Sequence, residues 1–145
     1  MAQSIVNDFR PSWIKEKIEE SCIKFMDNFG LFLCDKKDKN DRFPGFNAVT
    51  TSQIRNIFAE VKRIEAQLVD DESWQREEAS ILLLRPKIAY NTARVTGSKR
   101  ESRMIQLREV LEKGLQAIAG PDDFKRFCRF FEGILAYHKV YGGKD

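Results

Sequence analysis

A chain of 145 residues with 42% apolar and 32% charged side chains has the size of one globular domain and the composition of a folded chain rather than a disordered one. No apolar run reaches the roughly 18–20 residues that span a bilayer, and the N-terminal MAQSIVNDFRPSW lacks the basic-then-apolar order of a secretion signal; the expected compartment is the cytoplasm, with no membrane partner. A net charge of +3 excludes a histone-like polycation and leaves room for one basic face.

In chain order, Ser12 after Pro11 can cap a first helix whose apolar residues Ile14, Ile18, Cys22, Phe25, Met26 and Phe29 recur at helical spacing until Gly30. The LFLC that follows is ambiguous between a short strand and a last helical turn. DKKDKNDRFPGFN then reads as a charged loop broken by proline and glycine, the main flexible loop of the chain. Thr50 and Gln53 have capping-box spacing ahead of the stripe Ile54, Ile57, Phe58, Val61, Ile64 and Leu68, which predicts a second helix. DDESWQREEASILLLRPKIAYNTAR carries acid at its start and base at its end, the charge order that suits a helix dipole. Pro86 either kinks this third helix or splits it, standing then in the first turn of the second piece. Gly97 and Ser98 end that unit, and Ser98 with Glu101 makes another capping box before Met104, Ile105, Leu107, Val110, Leu111, Leu115 and Ile118. Gly120 and Pro121 precede a last helix, PDDFKRFCRFFEGILAYHKVYGG, that Gly142 and Gly143 can end. The fold expected is all-α, a compact bundle of about five helices. It forms a single domain over residues 1–145, in which the first helix and the loop to about residue 47 rest on patterning alone.

Groups for catalysis are scarce. His138 is the single histidine, so metal sites built on histidine pairs are excluded and a Ser-His-Asp arrangement would need that one ring. A packed imidazole with one nitrogen hydrogen-bonded is the expected role. Cys22, Cys34 and Cys128 form no CxxC pair and read as buried free thiols. Asp70, Asp71, Glu72, Glu77 and Glu78 suit a solvated helix N-terminus better than a carboxylate pair, and there is no glycine-rich phosphate loop. No enzyme and no cofactor is expected. The aromatic residues Phe124, Phe127, Phe130, Phe131, Tyr137 and Tyr141 mostly keep the spacing of a core-facing stripe. Phe130 is the doubtful member, because adjacent phenylalanines on a helix point different ways.

Charge is distributed unevenly. Between Glu65 and Glu78 six acidic residues face one basic residue, Arg76, whereas between Arg85 and Arg108 seven basic residues face one acid, Glu101. Arg55 and Lys62 are seven apart beside the apolar stripe of the second helix. Lys87 and Arg94 repeat that spacing around Tyr90, and Arg85 stands just before the proline. These five side chains can form one strip suited to successive phosphates, with Lys99, Arg100 and Arg103 extending it. Ordinary solvated residues give the same pattern, and charge alone divides the two readings evenly.

Three segments, TTSQIRNIF at 50–58, LLRPKIAYNTARV at 83–95 and FCRFFEGILAYHKVYGGKD at 127–145, together resemble the small subunit of the type III-A CRISPR effector, the Csm complex. The resemblance runs from about Thr50 to the end of the chain. It implies a small non-catalytic helical protein of antiviral defence, stacked in several copies beside the backbone subunits that hold the guide RNA and near the large subunit. It places Arg55, Arg85, Lys87 and Arg94 as candidates for contact with guide and target RNA phosphates, with Lys62 and Lys139 following. A subunit repeated along a variable guide must bind without reading bases, and backbone contacts meet that requirement. The competing expectation is a helical protein–protein interaction module with no direct RNA contact.

Overall fold

The computed structural model describes residues 4–96 and 102–143, and every element among them is helical. A 3-10 turn at Ile5–Asp8 and one α-turn, α1 at Ser12–Lys15, lead into α2 (Glu20–Leu33). The remaining helices are α3 (Thr51–Gln67), α4 (Asp71–Leu82), α5 (Leu84–Thr96), α6 (Met104–Gln116) and α7 (Pro121–Val140). The all-α expectation holds. Among the described residues no helix is long and apolar enough to cross a membrane.

The bundle is organised around α7, which packs against α1, α2, α3 and α6. Its aromatic residues explain why. Phe124, Phe127, Phe130, Phe131 and Ile134 are all fully buried, so the helix needs cover on more than one side. Phe130 faces the N-terminal segments, its ring centroid 5.4 Å from Phe9, 5.9 Å from Phe25 and 6.3 Å from Trp13. Phe131 points the other way, edge-on to Phe58 of α3 at 5.1 Å. Both adjacent rings are therefore core, on opposite flanks of one helix. The second half of the chain closes the other side, with α3 against α4 and α5, and α5 against α6.

Local signals act where they were read. The Thr50 hydroxyl accepts from the Gln53 amide at 3.1 Å and the Gln53 side chain returns the bond at 2.8 Å, so α3 starts on its capping box. Asp70 and Ser73 make a second reciprocal box at the start of α4, and it was not read from the sequence. Of the two readings offered for Pro86, the split is observed. Leu83 alone separates α4 from α5, and the proline occupies the first turn of α5. Gly142 adopts φ 75° just past α7, the left-handed conformation that ends a helix.

Three local expectations need correction. The first helix is interrupted: α1 stops at Lys15 and α2 starts at Glu20. The cause is a distant side chain, for Arg126 of α7 donates to the carbonyls of Ile14 (2.6 Å) and Lys15 (3.0 Å), capturing acceptors that a continuous helix would have used itself. Ser12 is the first residue of that turn and makes no capping bond. Gly30 lies inside α2, which runs on through the ambiguous LFLC to Leu33. Gly30 is there for close approach, since a Cβ on it would stand 2.6 Å from Tyr137 Cβ and 2.8 Å from Tyr137 C. The box between Ser98 and Glu101 falls outside the described residues. Among the described residues, the Ser102 hydroxyl accepts from the Met104 amide at the start of α6 at 3.2 Å.

Candidate nucleic-acid interface

Helix α3 carries its apolar residues Ile54, Ile57, Val61 and Ile64 inward, fully or almost fully buried, and leaves the remaining arc to polar side chains. On that arc Asn56, Ala59 and Glu60 face α5, where Pro86, Lys87, Tyr90 and Asn91 complete an open groove of about 630 Å³. Glu60 is the hub of its wall. Its carboxylate pairs with Arg63 at 3.1 Å and with Lys87 at 3.2 Å, and these two hydrogen bonds hold it below the usual carboxylate range. Two helices thus bring two cations to one carboxylate, which leaves a surplus of positive charge at the groove edge. Arg94 lies over the ring of Tyr90 at 5.9 Å, and Tyr90 is itself 63% exposed.

Arg55 and Lys62 do not share this groove. At 100° per residue they stand on the opposite flank of α3 from Glu60. Lys62 closes onto Glu65 and over the Phe58 ring, next to Glu132 of α7, and the hydrogen bond it donates to Glu65 raises its pKa. The predicted strip is therefore two groups. One is Lys87 with Arg94 beside the groove. The other is Arg55 with Lys62 toward α7. Arg85 is exposed in the first turn of α5 and Lys139 is exposed in the last turn of α7. Among the described residues the side chains of Arg55, Arg85 and Lys139 make no ion pair or hydrogen bond. Arg103, expected to extend the positive segment, turns inward to Asp35 at 2.9 Å and to the carbonyl of Phe32 at 3.3 Å. Lys99 and Arg100 lie outside the described residues. Arg63 was missed, although its place three residues after Glu60, away from the apolar stripe, was a usable signal.

His138 and the three cysteines are packed into the core. His138 is fully buried, with Nε2 2.7 Å from the carbonyl oxygen of Val49, so the ring donates Nε2–H and Nδ1 is the unprotonated nitrogen. Burial holds its pKa below the usual histidine value. The neighbours are Lys139, the Cys34 thiol 3.5 Å from the His138 carbonyl, and Gly143, where a Cβ would lie 2.1 Å from the ring. Cys22, Cys34 and Cys128 are buried free thiols, and burial pushes Cys22 up to about 12. Such thiols are poor nucleophiles.

A depressed histidine pKa makes the fold acid-sensitive. The unfolded chain binds the proton more readily than the folded one, so stability is intact above the unfolded pKa of about 6.5 and falls as pH drops through it. Thermal midpoints measured from about pH 8 to pH 5 are expected to hold and then decline in the wild type. His138→Gln, which keeps a donor to Val49 and has no proton to gain, is expected to flatten that decline. An equal decline in both proteins would assign the acid sensitivity elsewhere.

The family model for Csm2 Type III-A matches residues 36–144. A relative described as "CRISPR system Cms protein Csm2", from Streptococcus thermophilus, is 31% identical over 123 residues, covering 79% of this chain and 87% of the relative. No solved structure matches.

Proposed function

The chain belongs to the type III-A Csm2 family, the small subunit of the Csm effector complex, and from that membership we propose that it lays basic side chains along guide and target RNA without doing chemistry itself. Several copies stack along one RNA beside the backbone and large subunits, in the cytoplasm. The observation that carries this reading is the pair of cation groups flanking α3: Lys87 and Arg94 at the α3–α5 groove, and Arg55 with Lys62 on the side toward α7. Arg85 and Lys139 extend the exposed positive surface. Point charges on rigid helices meet phosphates at fixed intervals and ignore base identity, which suits any guide sequence. One copy makes few contacts, and an array on a single RNA adds them through effective concentration.

The test is target-RNA binding across a salt series by a reconstituted complex carrying wild-type subunit or Arg55→Ala, Lys87→Ala and Arg94→Ala together. The variant is expected to assemble, to bind more weakly, and to lose about one unit of salt slope per phosphate contact removed, equally for unrelated guides. Unchanged affinity and slope would reduce these cations to solvated surface.

A second reading, an interaction module that meets only protein, is favoured by the groove between α4 and α6. Trp74, Ile81, Leu82, Leu115 and Ile118 line it with Glu78 and Ala119. Under that reading charge reversal at Glu77 and Glu78 abolishes assembly while charge removal at Arg55, Lys87 and Arg94 leaves RNA affinity untouched.

A further inference from the structure

The segment between α2 and α3 is anchored firmly at its base and presents its tip to solvent. Asp35, at φ 53°, accepts the Asn47 amide at 3.0 Å on one oxygen and Arg103 at 2.9 Å on the other. The Arg103 guanidinium lies 4.0 Å over the Phe32 ring. Backbone bonds from Gly45 to Cys34 (3.0 Å) and from Val49 to Leu33 (2.8 Å) close the neck. Beyond it, Phe43 and Phe46 are 73% and 70% exposed, with the Arg42 guanidinium 5.5 Å from the Phe43 ring.

The charges of this loop are sorted. Asp38 accepts from the Asn40 amide at 2.8 Å and Asp41 from the Lys37 amide, so both carboxylates turn onto the loop's own backbone. Lys37, Lys39 and Arg42 are exposed and form no ion pair among the described residues. A protein partner for a solvent-exposed ring flanked by cations would need matching acidic groups around an apolar socket. A single-stranded nucleic acid offers both complements at once, a flat base for the ring and phosphates for the cations.

We propose that the loop at 36–46 is a second RNA contact, in which Phe43 stacks on an unpaired base while Lys37, Lys39 and Arg42 meet the adjoining phosphates. This rests on the RNA reading above and adds to it a mode of contact that the helix cations lack. Stacking accepts any base, because every base has a π-face. The loop therefore keeps the indifference to sequence that a variable guide requires.

The full-length Phe43→Trp chain reports stacking directly, with wild type titrated in parallel to subtract Trp13 and Trp74. Its emission is expected to be quenched by an unstructured single-stranded RNA oligonucleotide, far less by a blunt RNA duplex, and not by inorganic polyphosphate of equal charge. Phe43→Ala is expected to weaken single-strand binding roughly tenfold with its salt slope unchanged. A combined Lys37→Ala, Lys39→Ala, Arg42→Ala variant is expected to lower the slope. Unquenched emission at millimolar nucleotide, equal quenching by polyphosphate, or wild-type affinity in Phe43→Ala would each overturn the proposal. Phe43-dependent quenching that survives loss of Arg55, Lys87 and Arg94, with affinity unchanged by that loss, would sink the helix cations and leave the loop standing.

Discussion

Phe130→Ala is expected to destabilise the fold by about 3–5 kcal/mol. The ring is fully buried and lies within 6.3 Å of the rings of Phe9, Trp13 and Phe25. Truncation therefore removes its transfer energy and leaves a cavity that rigid aromatic neighbours cannot collapse into. A domain of this size has about 5–15 kcal/mol of stability in all, so the variant stands near the limit of folding. Urea titration is the measurement, read as a lower midpoint at unchanged slope. Phe130→Leu, which keeps most of the volume, is expected to lose about 1–2 kcal/mol. Equal losses in both variants would mean that the ring is not packed as described.

Gly30→Ala is the second large effect, expected to be destabilising by about 2–3 kcal/mol despite the roughly 1 kcal/mol that alanine gains over glycine inside a helix. The added methyl would stand 2.6 Å from Tyr137 Cβ, 2.8 Å from Tyr137 C and 2.9 Å from the His138 amide nitrogen. Two of those atoms are backbone, so no rotamer relieves the overlap and α2 must move away from α7. That displacement strains the bond between Tyr141 and Asp27 and disturbs the His138 anchor to Val49. Gly133→Ala supplies the control. The three atoms nearest its methyl all belong to the Met26 side chain, a flexible thioether that can repack, and the expected loss is under about 1 kcal/mol. If the two alanine variants lose equally, Gly30 does not set the approach of the two helices.

The elements legible in the sequence are those whose instructions are local. Thr50 and Gln53 are three residues apart and need nothing else to start α3, and Pro86 needs only its missing amide proton to divide α4 from α5. His138 could be read as a packed ring because the chain offers it no catalytic company. What escaped the sequence depends on residues far away in it. Glu19 and Glu20 carry no mark that a helix has just broken, because the break is made by Arg126, more than 100 residues later. Gly30 reads as a stop in isolation and becomes an interior residue only once α7 is known to cross there. The candidate interface was legible in residue type and spacing. Its division into two flanks was not, because seven-residue spacing puts Arg55 with Lys62 and Lys87 with Arg94, yet says nothing of how α3 and α5 are turned toward each other. Arg103 shows the same limit, since its charge is visible in the sequence and its partner Asp35 is not.

Partnership between the two ends of the chain has a consequence during synthesis. The N-terminal segments emerge from the ribosome first, yet α1 and α2 find their principal neighbour in α7, which is made after every other described helix. Until Phe124 to Ile134 have left the exit tunnel, Phe9, Trp13, Phe25 and Phe29 have no core to enter, and a nascent chain with bare aromatic residues is a substrate for chaperones or for aggregation. Closing so long a loop also slows folding relative to a bundle built from neighbouring hairpins. Nascent chains stalled before Pro121 should therefore be protease-sensitive along their whole length, with protection arriving as one late event.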